Sequence, residues 1–102
     1  MASRLELQIE FETLLGNKNV YFQPPESKKL NYDCIIYYRS RIETKKANNR
    51  NYMFANHYDV TLIYRDPDSE LPRKILENFQ YCTNTNHFTA DNLYHDVFTL
   101  YY

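Results

Sequence analysis

Apolar and polar residues alternate most clearly over residues 57–64. Tyr58, Val60, Leu62 and Tyr64 fall on one side of an extended chain, because successive side chains of a strand point to opposite faces. The residues between them are mostly polar. The segment therefore predicts a strand with these four side chains directed into the core.

Three other segments have the composition of strands. Residues 19–23 form a short β-type run that a pair of prolines ends, since proline cannot donate to a ladder. Residues 33–42 are rich in β-branched and aromatic side chains, with Cys34 and Ile36, or their alternates, as the expected buried residues. Residues 94–102 are apolar on both faces, which predicts a strand inside a sheet or covered on two sides.

Residues 3–16 predict the first helix. Ser3 and Glu6 have the spacing of a capping box, and Gly16 can end a helix in the left-handed conformation. The stripe expected to face the core consists of Leu5, Ile9 and Leu14 or Leu15. The same segment also alternates with period two, as a strand would, but the two end signals favour a helix.

The second predicted helix follows the acidic turn at residues 66–70. Asp68 or Ser69 can cap it, and Pro72 is acceptable within the first turn of a helix. The residues expected on its buried side are Ile75, Leu76 and Phe79.

Polar segments separate these elements. Residues 43–51 predict a loop or the tip of a hairpin, residues 80–83 are weakly strand-like, and residues 84–92 predict turns. The expected fold class is α+β: a mostly antiparallel sheet with helices packed on it, in the order α-β-β-β-α-β, forming a single domain over residues 1–102.

Composition narrows the class of protein. The chain has 102 residues, a formal net charge of −1 and 17% aromatic residues, including 11 tyrosines. The aromatic and aliphatic content excludes disorder, and the charge argues against a dedicated nucleic-acid binder. So many tyrosines exceed what a thin core can hide and favour contact surfaces, with the half-exposed tyrosines of an ordinary sheet as the alternative.

Membrane insertion and secretion are not expected. No apolar run approaches the roughly 20 residues of a spanning helix, and the first residues lack the apolar core of a signal peptide. Cys34 and Cys82 are too few for a disulfide framework and are expected to stay reduced in the core. These features predict a protein that is intracellular when made.

Catalytic, cofactor and metal sites are not expected either. His87, Asp91 and His95 are four residues apart and could share a metal on a helix, but their segment is poor helix material. His95 and Asp96 are neighbours on a strand and therefore point to opposite faces. With a single glycine, a phosphate-binding glycine-rich loop cannot form. The sequence therefore does not predict an enzyme.

Charge is distributed unevenly along the chain. Residues 26–50 hold seven basic residues against three acidic ones, and residues 65–102 hold three basic against six acidic. This asymmetry has three interpretations: a solvated surface, head-to-tail self-association, or contact of the basic hairpin with nucleic-acid phosphates, with Tyr52 and Phe54 stacking on bases.

Three segments together resemble a known family. They are residues 19–27 (NVYFQPPES), residues 58–70 (YDVTLIYRDPDSE) and residues 90–102 (ADNLYHDVFTLYY). In this order they resemble the tail-terminator proteins of long-tailed, non-contractile bacteriophages and prophages, small tail-completion proteins that join heads to tails. The resemblance covers most of the chain.

The resemblance implies a structural role in the virion tail, after assembly in the host cytoplasm. Tail terminators form a ring, usually a hexamer, on the head-proximal end of the tail tube, where they stop tube polymerisation and dock onto the head connector. The implied partners are further copies of the chain, the tail-tube protein and the head connector or head-completion protein, with a passing contact with genomic DNA in the ring lumen. No cofactor and no membrane is implied.

The family's hairpin between its second and third strands reaches neighbouring copies. The candidate interface carried over to this chain consists of Arg39, Arg41, Lys45, Lys46 and Arg50. Two alternatives remain open: a neck or head-completion protein of the same virion, and a small nucleic-acid-binding module that uses the basic hairpin.

Overall fold

The computed structural model describes residues 4–47 and 50–102, and the side chains of residues 4–40, 42 and 56–102. The elements are α1 (Arg4–Leu15), β1 (Val20–Phe22), β2 (Cys34–Ala47), β3 (Arg50–Tyr64), α2 (Leu71–Asn78), β4 (Cys82–Ala90) and β5 (Leu93–Tyr101). The α+β class is confirmed. The predicted order is followed and then extended by one strand, because the polar residues 82–90 form an edge strand instead of turns.

The five strands form one mixed sheet in the order β1-β2-β3-β5-β4. β1 is parallel to β2, and the other neighbours are antiparallel. Asp91 and Asn92, with φ of 52° and 62°, form the two-residue turn between β4 and β5. Two left-handed residues in succession are the geometry of a type I′ hairpin turn, which matches the twist of the strands it joins.

The core lies between the two helices and one face of the sheet, here called the inner face. Tyr58, Val60, Leu62 and Tyr64 are buried there, as the alternation predicts. The other buried residues of this cluster are Leu7, Phe11, Val20, Ile35, Tyr37, Ile75, Phe79, Phe98 and Leu100. β5 lies inside the sheet between β3 and β4, and so has strand neighbours on both sides.

The predicted buried stripe of α1 is wrong at its first two positions, whereas Leu14 and Leu15 are partly buried against the core. Leu5 and Ile9 are 63% and 62% exposed, and Leu7 and Phe11 are fully buried instead. Both pairs have the same four-residue spacing, so periodicity cannot choose between them. The aromatic side chain decides: Phe11 packs edge-on against Tyr37, with 5.2 Å between ring centroids, and it packs against Phe79 as well.

The predicted ends of α1 have different outcomes. Gly16 adopts φ of 79° and its N–H donates to the carbonyl oxygen of Glu12 at 3.0 Å, which confirms the stop. Ser3, the predicted cap, lies outside the described residues.

The predicted buried side of α2 is partly wrong. The N-cap of α2 is Glu70, without a side-chain cap hydrogen bond, so neither Asp68 nor Ser69 occupies the cap position. The hydroxyl of Ser69, one residue earlier, accepts a hydrogen bond from the N–H of Leu71 at 3.2 Å. Pro72 lies in the first turn, where it removes no helical hydrogen bond. Ile75 and Phe79 are buried, but Leu76 is 40% exposed, because two inward side chains already fill the space that this short helix covers.

The predicted loop or hairpin tip over residues 43–51 is too long, because β2 continues to Ala47 and β3 begins at Arg50 in an antiparallel pair. Residues 48–49 lie outside the described residues. Asparagine and lysine suggested a loop, yet β-branched and aromatic residues recur every second position along both strands and favour a continued ladder.

Candidate assembly surface

β2 and β3 extend beyond the sheet as a two-stranded ribbon. β1 pairs with β2 only at residues 35–37, and β5 pairs with β3 only over residues 57–64. Residues 41–47 and 50–55, here called the ribbon, pair with each other and with no third strand among the described residues. The molecule is accordingly elongated, with extents of 51 × 28 × 23 Å.

A β-bulge at Ser40 marks the base of the ribbon. Arg39 pairs with Tyr58 and Arg41 pairs with His57, which leaves Ser40 as the extra residue. Its hydroxyl donates to the carbonyl oxygen of His57 at 3.0 Å and also hydrogen-bonds to Nδ1 of the same residue. The His57 ring packs edge-on against Tyr101, with 4.8 Å between ring centroids. The bulge is therefore fixed to both β3 and β5.

Arg39 lies at this base and not on the ribbon itself. Its guanidinium carbon is 5.8 Å from the ring centroid of buried Tyr58, and its backbone N–H donates to Oε1 of Gln23 at 3.3 Å. The side chain is exposed to solvent. Arg39 thus covers the end of the core as well as adding charge.

The other predicted interface residues all lie on the ribbon strands. Arg41, Lys45 and Lys46 belong to β2, and Arg50 begins β3. Their side chains lie outside the described residues. Among the ribbon side chains that are described, Ile42 is 55% exposed. The structure therefore gathers the predicted residues on one projecting element that is basic in sequence and carries an exposed apolar side chain.

α1 is acidic where the ribbon is basic. α1 carries Glu6, Glu10 and Glu12 against the single base Arg4. Glu10 is turned toward its own molecule, where its carboxylate accepts hydrogen bonds from Asn78 and Tyr102. The ribbon sequence and α1 thus carry opposite net charge.

The outer face of the sheet is covered by neither helix. It presents half-buried and exposed side chains, including Ile36, Tyr38, Thr61, Val97 and Tyr101. Asp59 is exposed near its centre and shares this face with His57, as the strand period predicts. An exposed carboxylate in the middle of this face opposes packing of two such faces against each other.

A polar cluster that sequence reasoning missed lies on the inner face around Asp96. Its carboxylate accepts hydrogen bonds from the Tyr64 hydroxyl at 2.6 Å and from Asn84 Nδ2 at 3.2 Å, and lies 2.8 Å from His87 Nδ1. Burial, followed by the hydrogen bond to Asp96, raises the pKa of Tyr64 above its usual range. The Tyr64 and Tyr94 rings stack with 5.6 Å between centroids.

The sequence feature that could have revealed this cluster is the turn at residues 91–92. A two-residue loop at residues 91–92 places residue 87 opposite residue 96, but the turn was predicted without using it to set the register. Each oxygen of Asp96 has a hydrogen-bond partner within the fold, so the arrangement satisfies a buried carboxylate.

The alternative metal site does not form. His87 and His95 lie on opposite faces of the sheet, and Asp91 lies in the turn between their strands. In residues 4–47 and 50–102, no group of three His, Cys, Asp or Glu side chains could hold a metal ion. Asp66 and Asp68 belong to the turn before α2, where the Asp66 carboxylate accepts the Asp68 N–H at 2.9 Å.

The two cysteines are free thiols on strands that β3 and β5 separate. None of the described helices is long and apolar enough to cross a bilayer. Comparison of the chain with family models, with curated proteins and with solved structures found no match.

Proposed function

We propose that this chain is a structural assembly subunit of the tail-terminator type. Copies join into a ring, usually six in such proteins, at the head-proximal end of a phage tail tube. The ring stops tube growth and offers a docking surface to the head connector. The observation that carries this proposal is the ribbon, which extends away from the sheet with an exposed apolar side chain and a basic sequence.

The physical argument concerns what holds such a ribbon. An isolated two-stranded hairpin is marginally stable in water, because one pair of strands buries little apolar surface. Residues 41–47 and 50–55 have no third strand among the described residues, and Ile42 remains 55% exposed. Contact with another molecule would cover this surface, which is the use expected of a projecting arm in a repeating assembly.

The segments that resemble the family support the same proposal. They include β1, seven of the fifteen residues of β3 with the turn before α2, and β5. β5 and the sheet portion of β3 hold the base of the ribbon through His57 and Tyr101. The segments on which the resemblance depends therefore belong to the scaffold that positions the arm.

The test is electron microscopy of negatively stained lysates in which the phage or prophage lacks this gene. A terminator predicts overlong or headless tails. Tails of normal length that fail to join heads would instead indicate a neck or head-completion protein. Intact virions with normal tails would contradict both roles.

Complementation of the phage that lacks the gene tests the role of the ribbon separately. The variant R41E/K45E/K46E is expected not to restore normal tails. The matched control is K18E/K28E/K29E, which reverses the same number of charges at exposed positions outside the ribbon. Equal rescue by both variants would show that the ribbon charges are not used in assembly.

A nucleic-acid-binding role is the second candidate, because the basic ribbon also contains Tyr52 and Phe54. It predicts that the monomer binds DNA with an affinity that falls steeply with salt. In a fluorescence anisotropy titration, the R41E/K45E/K46E variant would then lose affinity and reduce the salt slope by about 3. Salt-independent or absent binding would exclude this role.

A further inference from the structure

The outward side of α1 presents an apolar pair that the fold of one chain does not use. Leu5 and Ile9 are 63% and 62% exposed and lie one helical turn apart, so their side chains are neighbours. They lie opposite Leu7 and Phe11, which face the core. The exposure of the pair also shows that the chain's own ribbon does not cover it.

Acidic residues border this pair. Glu6 and Glu12 are each three residues from Ile9, which places them on either side of it on the helix surface. Glu12 is held by a hydrogen bond from Gln8 Nε2 at 3.1 Å. The outward side of α1 therefore combines an apolar centre with a carboxylate on each flank; these four residues, Leu5, Glu6, Ile9 and Glu12, are called the α1 patch.

The ribbon has the complementary combination. Ile42 is an exposed apolar side chain, and the ribbon sequence holds Arg41, Lys45, Lys46 and Arg50 against the single acid Glu43. Successive residues of a strand belong to opposite faces, so of the basic residues of β2 beyond the bulge only Lys46 shares the face of Ile42. We propose that the α1 patch receives the Ile42 face of the ribbon of a second copy of this chain, with Ile42 near Leu5 and Ile9 and Lys46 near the glutamates that flank them. This inference rests on the proposed assembly function and specifies the receiving surface.

The contact would join two different surfaces, since the ribbon and the α1 patch are separate parts of the molecule. Such heterologous contacts repeat from copy to copy and close into a ring when the rotation permits. The opposite charges orient the approach, and the apolar side chains supply buried area at the centre of the contact.

Disulfide cross-linking between two variants tests the pairing directly. In a Cys82→Ser background, Ile9→Cys protein is mixed with Ile42→Cys protein under mild oxidation, and covalent dimers are read on a non-reducing gel. The native Cys34 is buried. The matched control replaces Ile9→Cys with Tyr81→Cys, at a position that is 65% exposed. The proposal predicts more dimer with Ile9→Cys, and equal or greater dimer with Tyr81→Cys would overturn it.

Charge exchange separates this inference from the proposed function. E6K/E12K is expected to raise the concentration for half-assembly about tenfold, and adding K46E to the same chain should restore part of the assembly. Each variant's melting temperature shows whether it still folds. If R41E/K45E/K46E loses assembly while E6K/E12K assembles normally, the α1 patch is not the receiving surface and the proposed function stands. If neither variant changes assembly, both proposals fall.

Discussion

Two cysteines show how burial changes the titration of single side chains. Burial, with a smaller contribution from the charge of Asp33, raises the pKa of Cys34 from 9.0 to about 12. Burial alone raises the pKa of Cys82 to about 11. The unfolded chain therefore loses its thiol protons at lower pH than the folded chain does.

This difference predicts a decline of stability in alkaline solution. The contribution of the thiols is complete below about pH 9 and is lost as the pH rises through the folded pKa values. Urea unfolding at a series of pH values from 8 upward, about half a unit apart, measures the decline. The variant Cys82→Ala should show a shallower decline than the wild type, and identical slopes would contradict the assignment.

The orientation of α1 gives a second prediction at this scale. Leu7→Ala is expected to lower the free energy of unfolding by about 2–5 kcal/mol, because Leu7 is fully buried. Ile9→Ala, two residues away on the opposite side, should change it by less than about 0.5 kcal/mol. Chemical unfolding of both variants checks the contrast, and a larger loss for Ile9→Ala would mean that the helix is rotated.

For single residues, the sequence predicted burial correctly where only one face of the element was apolar. Over residues 57–64 the apolar residues fall mainly on one side of the strand, and that side is buried in the structure. α1 offered two apolar phases with the same spacing, and the aromatic contacts of Phe11 with other elements decided between them. Those contacts are formed between elements distant in the chain and have no local signal.

At the scale of elements, the turn between β4 and β5 determines which side chains meet. Asn92 has φ of 62°, a conformation that asparagine and glycine tolerate better than other residues. Asn92→Ala should therefore cost about 1–2 kcal/mol of stability. Thermal unfolding measures the loss, and Asn92→Gly, expected to keep the stability, is the control that separates backbone conformation from side-chain contacts.

β4 and the ribbon were the elements that sequence reasoning missed or shortened. β4 is an edge strand, and its exposed polar side chains resemble those of a loop. In the ribbon, asparagine and lysine suggested a loop although cross-strand pairing extends to Ala47 and Arg50. In both cases backbone pairing with a neighbouring strand stabilises the element, and side-chain composition reports little of that pairing.

For the whole molecule, opposed charges on the ribbon and α1 predict association that weakens with salt. Exposed charge pairs are screened beyond about 8 Å at physiological ionic strength. Light scattering at about 50 mM and about 500 mM salt should show larger particles at the lower salt. The same mass at every concentration and salt would contradict the charge argument.

At this scale, the sequence predicted that the basic residues lie on one hairpin, but it did not predict the contacts that they make. The sequence assigned the basic residues to one hairpin, and the backbone places them on one projecting ribbon. It did not reveal that Arg39 belongs to the base over Tyr58, because that contact depends on the register between β2 and β3.

The bulge at Ser40 has a mechanical consequence. The seven residues of β2 beyond Ser40 span about 24 Å, so a turn of about 10° at the bulge moves the tip by about 4 Å. Whatever molecule the tip contacts would be displaced by the same amount. In a row of identical copies the displacement recurs at every step and becomes curvature. A single residue, held by His57 and outside every proposed contact, would thus set how many copies complete a circle.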